Sequence, residues 1–199
     1  ELKKIDGGND LSRMIIVGHS FGGALIYTAV QQQLMRDTEF LNRGSVARNA
    51  ADLIVLVNPA FEAARFHALN RRAAGMDHAD TQRPILAVFT STNDTATGNA
   101  FPVGRTLGTL FQSHVSDEQR RENRTALGHY VPFQTHDLNL TRPAGKDTQD
   151  LLRLSTWSEY GCAWQAYQAG TTDVWALGDL ALTRRPPIQT TGEGDNPIY

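Results

Sequence analysis

The sequence predicts an α/β protein: a mostly parallel sheet with helices on both faces. Three short apolar runs carry this reading. Met14–Val17 (MIIV), Leu53–Val57 (LIVLV) and Pro84–Thr90 (PILAVFT) are continuously apolar, as strands buried on both faces are. Stretches with helical spacing separate them, and alternating strand and helix lead to a parallel sheet.

The first strand stops at Gly18. A helix follows, with apolar positions at Leu25, Ala29, Leu34 and Met35 and Val30 beside them. The second strand ends at Asn58-Pro59, a turn signal. Phe61 to Arg72 has helical spacing at Phe61, Ala64, Arg65 and Ala68. The third strand runs into the polar stretch STNDTATGN. Beyond Asn99 the pattern predicts a short helix over Phe101–Phe111 and a solvated charged helix over Asp117–Arg124. Gly128–Leu140 reads as an irregular or strand-like run, and Thr141–Lys146 as a loop. Asp150–Gln168 reads as a helix carrying Trp157, Tyr160, Trp164 and Tyr167, an aromatic stripe suited to packing rather than to a ligand. RRPPIQTTGEGDNP has loop chemistry throughout. The expected organisation is one domain, 1–199, with a core over 1–98 and an insert or cap over 99–196.

Composition narrows the function classes. The 199 residues carry 19 basic and 21 acidic side chains, a net charge of −2, which gives no basis for nucleic acid or an anionic membrane as partner. Hydrophobic residues make up 40% of the chain, enough for a packed core. Cys162 is the single cysteine, so no internal disulfide can form and no Cys/His cluster suggests zinc. A lone cysteine fits a reducing, cytoplasmic setting. No apolar run approaches the ~20 residues of a membrane span. No metal or cofactor is implied.

The chemistry sits in GHSFGG, Gly18 to Gly23. It satisfies G-x-S-x-G and lies between a strand and a helix, where a nucleophile elbow needs it. A sharp turn there lifts the Ser20 hydroxyl above the sheet. Gly18 and Gly22 are expected to be glycine because a β-carbon would meet neighbouring backbone. Phe21 N–H opens the helix and can serve as an oxyanion donor. His19 is a neighbour of the nucleophile rather than its base.

This motif resembles the elbow of the α/β-hydrolase superfamily. NPAFEAARF, TSTNDTATGNAFPVGR and GHYVPFQTHDL resemble segments of hydrolase-like proteins in an uncharacterised subgroup of it. The resemblance implies the chain order nucleophile, acid, histidine. It places the acid just past the third strand, at Asp94, with Glu62 as the competitor one strand earlier. His136 is taken as the base, with His129 and a histidine beyond Tyr199 as alternatives. His67, His78 and His114 lie in helix or loop positions that suit exposure. In that subgroup an NP-aromatic strand follows the insert and a Gly-His follows the strand, which favours a base beyond Tyr199.

The same resemblance implies early strands, a second oxyanion donor and a last strand that the chain is expected to lack. Only 13 residues precede Met14, and Asn196–Tyr199 reads as the opening of a strand. The implied activity is hydrolysis of a small-molecule or lipid carboxylic ester through an acyl-enzyme. The alternatives are amide or thioester hydrolysis, and a hydrolase-fold binding domain without catalysis.

Overall fold

The structure is a computed structural model that describes residues 14–41, 51–74, 84–101, 116–140, 164–167, 169–177 and 180–186. The expectations for Cys162, His78, His114, the loop at 141–146 and both chain ends lie outside these residues. So do those for the Phe101–Phe111 helix beyond its first residue and for most of 150–168.

Strands β1 (Ile15–His19), β2 (Leu53–Val57) and β3 (Leu86–Phe89) form one parallel sheet in the order β1-β2-β3. Ile15 lies opposite Leu53 and His19 opposite Val57, while Val57 also faces Phe89. Helix α1 (Phe21–Leu41) connects β1 to β2, and α2 (Ala64–Ala74) lies between β2 and β3. Right-handed crossovers taken in one direction along a sheet place both helices on the same face. Accordingly α1 and α2 pack together: the Tyr27 ring stacks on Phe61 at 4.7 Å, and Tyr27 donates its hydroxyl to the Arg65 carbonyl at 3.1 Å. Val30, Leu34, Ala51, Ile54, Leu56, Leu69 and Leu127 complete the buried cluster. Ile15 and Val17, which alternate with the inward Ile16 and Gly18, are exposed.

The buried face of α1 differs from the expected one. Leu25 is 73% exposed and Ala29 is exposed, while Gly23, Tyr27, Val30 and Leu34 turn inward. The reason is a backbone contact. Helix and strand touch at Gly23 and Gly18, and the face at i, i+4, i+7 and i+11 from Gly23 is the one that meets the sheet. The expected Phe61 helix also begins later. Phe61 enters the core from the turn after Pro59, and α2 then buries Leu69 and exposes Ala68.

Helix α3 (Asp117–Arg124) forms where the charged run predicts. Ser116 caps it by accepting from Gln119 N–H at 3.1 Å, and Asp117 and Glu118 occupy its positive end. It is not wholly solvated: Glu122 is buried, with Oε1 2.7 Å from His67 Nδ1. Residues 125–127 then run beside the Phe61 turn. Ala63 N–H donates to Thr125 O at 3.0 Å and Leu127 N–H to Phe61 O at 2.9 Å. Two 3₁₀ turns follow, Leu127–His129 and Val131–Phe133.

The chain divides into two compact units, with the boundary between Phe133 and Gln134. Aromatic packing holds the end of the first unit. Phe133 meets Phe66 at 5.6 Å and Tyr130 at 4.9 Å, which ties this segment to the first unit.

In the second unit β4 (His136–Leu140), β5 (Val174–Leu177) and β6 (Leu180–Arg184) form an antiparallel sheet, ordered β4-β6-β5. Trp164 packs edge-on to Trp175 at 5.0 Å and stacks on Tyr167 at 5.5 Å, so these stripe residues serve as packing. Arg185 grips the Asp137 carboxylate with two bonds, 2.9 and 2.6 Å. That bond holds the Asp137 carboxyl below its usual range. No helix among the described residues is long and apolar enough to cross a membrane.

Candidate active site

Ser20 stands at the turn between β1 and α1 with φ of +53°, in the left-handed region that a residue with a β-carbon rarely adopts. That conformation costs about 1–2 kcal/mol and persists only where surrounding contacts impose it. Three such contacts are present. Ser20 N–H donates to Val57 O at 2.9 Å, at the end of the neighbouring strand. Ser20 O accepts from Ala24 N–H at 3.3 Å and from Ala60 N–H at 3.2 Å. The serine is thus clamped between its own helix and the turn after β2, and the residue is half-buried. Phe21 begins α1, where the first amides have no partner within the helix.

The glycines divide differently from expectation. A β-carbon on Gly18 would lie 2.9 Å from Gly22 O and from Gly23 Cα. One on Gly23 would lie 3.2 Å from Gly18 O. One on Gly22 would meet nothing within 4 Å, so the expected clash at Gly22 is absent. The turn of α1 carries Gly22 away from the strand, and the close approach falls on Gly18 and Gly23. Gly18→Ala should therefore destabilise by roughly 1–3 kcal/mol. Gly22→Ala should be neutral, or stabilising by up to about 1 kcal/mol as a helix substitution. Thermal melts of the two variants check this, and a Gly22→Ala loss larger than that of Gly18→Ala would refute it.

Asn58, read from the sequence only as a turn residue, joins the serine turn to the loop after β3. It too has positive φ, +44°, and its N–H donates to Phe89 O at 2.8 Å. Its side-chain Oδ1 accepts from Ser91 N–H at 2.9 Å. Asparagine suits both demands, since it tolerates the left-handed region and bonds locally.

The loop fastened by Asn58 leads to Asp94. Asp94 Oδ1 accepts from Ala96 N–H at 3.1 Å and Thr97 N–H at 3.3 Å, capping the π-helical turn Ala96–Ala100. Asp94 Oδ2 accepts from the hydroxyl of Thr97, whose side chain is buried. The Thr97 hydroxyl, followed by the two amides and the nearby His129, holds the Asp94 carboxyl below its usual range. His129 Nε2 lies 3.0 Å from the same Thr97 Oγ1.

One glycine faces that imidazole and a second lies beside it in the chain. A β-carbon on Gly98 would come within 3.2 Å of His129 Cε1, and one on Gly128 within 1.5 Å of Thr90 Oγ1. Gly128 therefore rests directly on the end of the third strand run, and the Gly-His pair is a close-approach device.

The structure brings Asp94 and His129 together through Thr97, in the unit that also contains Ser20. His136 opens β4 in the second unit. Its Nδ1 lies 2.7 Å from Thr135 Oγ1 and its ring 5.9 Å from that of Tyr167. Lost hydration, then the Arg184 guanidinium, lower the His136 pKa against the pull of Asp137. Glu62 has its backbone bridged to Ala126, and His67 is paired with Glu122. Among the described residues no group of three or more His, Cys, Asp or Glu is placed to hold a metal ion.

The parallel β-α-β sheet, with Ser20 at a strand-to-helix turn, is consistent with part of an α/β-hydrolase fold. Residues 2–146 match the family described as "Alpha/beta hydrolase of unknown function (DUF900)", and the chain belongs to that family. Comparison with curated proteins and with solved structures found no match.

Proposed function

We propose that the protein is a serine hydrolase that cleaves carboxylic esters through an acyl-enzyme. The observation that supports this most is the strained Ser20, held at φ +53° by contacts from two elements. Strain of this kind, maintained in G-x-S-x-G, is what an exposed nucleophile requires. In this reading Ser20 Oγ attacks the ester carbonyl carbon as its proton passes to an imidazole. Phe21 N–H donates to the developing oxyanion. The tetrahedral intermediate collapses, the protonated imidazole returns its proton to the leaving alkoxide, and water then releases the acid from Ser20 by the same steps. Asp94 orients the imidazole and stabilises its charged form.

His129 is taken as the base. Of the expected candidates within the described residues, it is the one coupled to Asp94, through Thr97. His136 and a histidine beyond Tyr199 are the other placements. Hydrolysis of a short p-nitrophenyl ester tests the reading, with an initial burst marking the acyl-enzyme. His129→Ala should lower turnover by roughly 10²–10⁴-fold and His136→Ala should leave it nearly unchanged. The reverse result would move the base to His136. Near-normal turnover in both variants would move it beyond Tyr199. Absence of hydrolysis in the full-length protein would contradict the enzyme reading itself.

A further inference from the structure

The hydrogen bonds around Thr97 have a direction that follows from counting protons. The low pKa of Asp94 keeps it ionised at neutral pH, and an ionised carboxylate can only accept. A threonine hydroxyl has one hydrogen, and the buried Thr97 hydroxyl directs it to Asp94 Oδ2. Toward His129 Nε2, at 3.0 Å, the same oxygen has only lone pairs to offer. Nε2 must then carry a hydrogen, and in the neutral ring Nδ1 is left bare.

We infer that Thr97 is a positioning residue. Its buried hydroxyl links Asp94 to His129 in a carboxylate–hydroxyl–imidazole chain that fixes Nε2 as the protonated nitrogen and Nδ1 as the atom that accepts a proton. The hydrogen-bond chain stands independently of the serine-hydrolase reading, and only its kinetic consequence rests on that reading. The surroundings keep the chain in register. A β-carbon on Gly98 would crowd the imidazole at Cε1, one on Gly128 would collide with Thr90, and both amides that hold Asp94 Oδ1 belong to the turn that carries Thr97.

The chain also has a predicted reversal. In Asp94→Asn the side-chain oxygen must keep facing the Ala96 and Thr97 amides, since two facing N–H groups repel. The new NH₂ group then donates to Thr97 Oγ1, and the hydroxyl hydrogen turns toward His129 Nε2. The ring is driven into the opposite tautomer, with the hydrogen on Nδ1. A threonine that merely fills space would produce no such reversal.

The test is ¹⁵N NMR of the His129 ring in the full-length protein, with Thr97→Val, Thr97→Ser and Asp94→Asn. The wild type should show a slowly exchanging hydrogen on Nε2. Thr97→Val, of nearly equal volume, should lose the slow exchange, and Thr97→Ser should keep it. Asp94→Asn should move the hydrogen to Nδ1. In the ester assay Thr97→Val should lower kcat by roughly 10- to 100-fold with KM unchanged, as loss of a hydrogen bond to a charged group implies, and Thr97→Ser should restore it. The inference is overturned by a wild-type ring protonated on Nδ1, by an unmoved hydrogen in Asp94→Asn, or by slow exchange kept in Thr97→Val; wild-type kcat in Thr97→Val would refute its kinetic consequence. Ring states as expected in a protein without Ser20-dependent hydrolysis would instead uphold the chain and refute the hydrolase reading.

Discussion

Ser20→Ala should abolish turnover, lowering kcat by roughly 10⁶-fold, the scale of losing the nucleophile in a serine hydrolase. The fold should survive. Alanine keeps the β-carbon, so the left-handed backbone costs what it costs with serine. The bonds that hold the turn, to Val57 O and from Ala24 and Ala60 N–H, are all made by backbone. Melting temperature should therefore change little. A Ser20→Ala protein with substantial turnover would return Ser20 to the role of a turn residue. The domain would then use another nucleophile or none.

Asp94→Asn should lower turnover by roughly 10⁴-fold, the loss that follows when a base is held in the wrong tautomer. Stability should again be nearly unaffected. Asparagine caps a helical turn about as well as aspartate, and its oxygen can still accept from the Ala96 and Thr97 amides. The loss then arises from charge and proton direction rather than from unfolding. Glu62→Gln should be almost silent in the same assay. A large loss in Glu62→Gln, with activity kept in Asp94→Asn, would move the acid to the end of the second strand.

The parallel sheet was legible because its strands are buried on both faces and read as continuous apolar runs. All three fall within a few residues of where LIVLV, MIIV and PILAVFT predict. The orientation of α1 was not legible. Helical spacing permits more than one apolar face, and the face used is set by glycine. Gly23 and Gly18 touch, and this outweighs the burial of Leu25. The β5–β6 pair was missed although it has a signal. VWAL and LALT are two short apolar runs close together in the chain, and they pair antiparallel.

At the site, Ser20 was legible because strand, glycine, serine and helix are contiguous in the chain. The contact between Thr97 and His129 was not, because it joins residues 32 positions apart. A threonine in a polar run carries no mark of its burial. Asn58 announced a turn, but its bond to Ser91 spans two strand ends and is visible only once the sheet is assembled.

The central claim is that Ser20 is an activated nucleophile. Its most direct measurement is covalent labelling of the full-length protein by a fluorophosphonate, with the adduct located by peptide mass spectrometry. The predicted result is one adduct, on the peptide containing Ser20, that disappears in Ser20→Ala and forms much more slowly in Asp94→Asn. No adduct on the folded wild-type protein, or one that persists in Ser20→Ala, would contradict it.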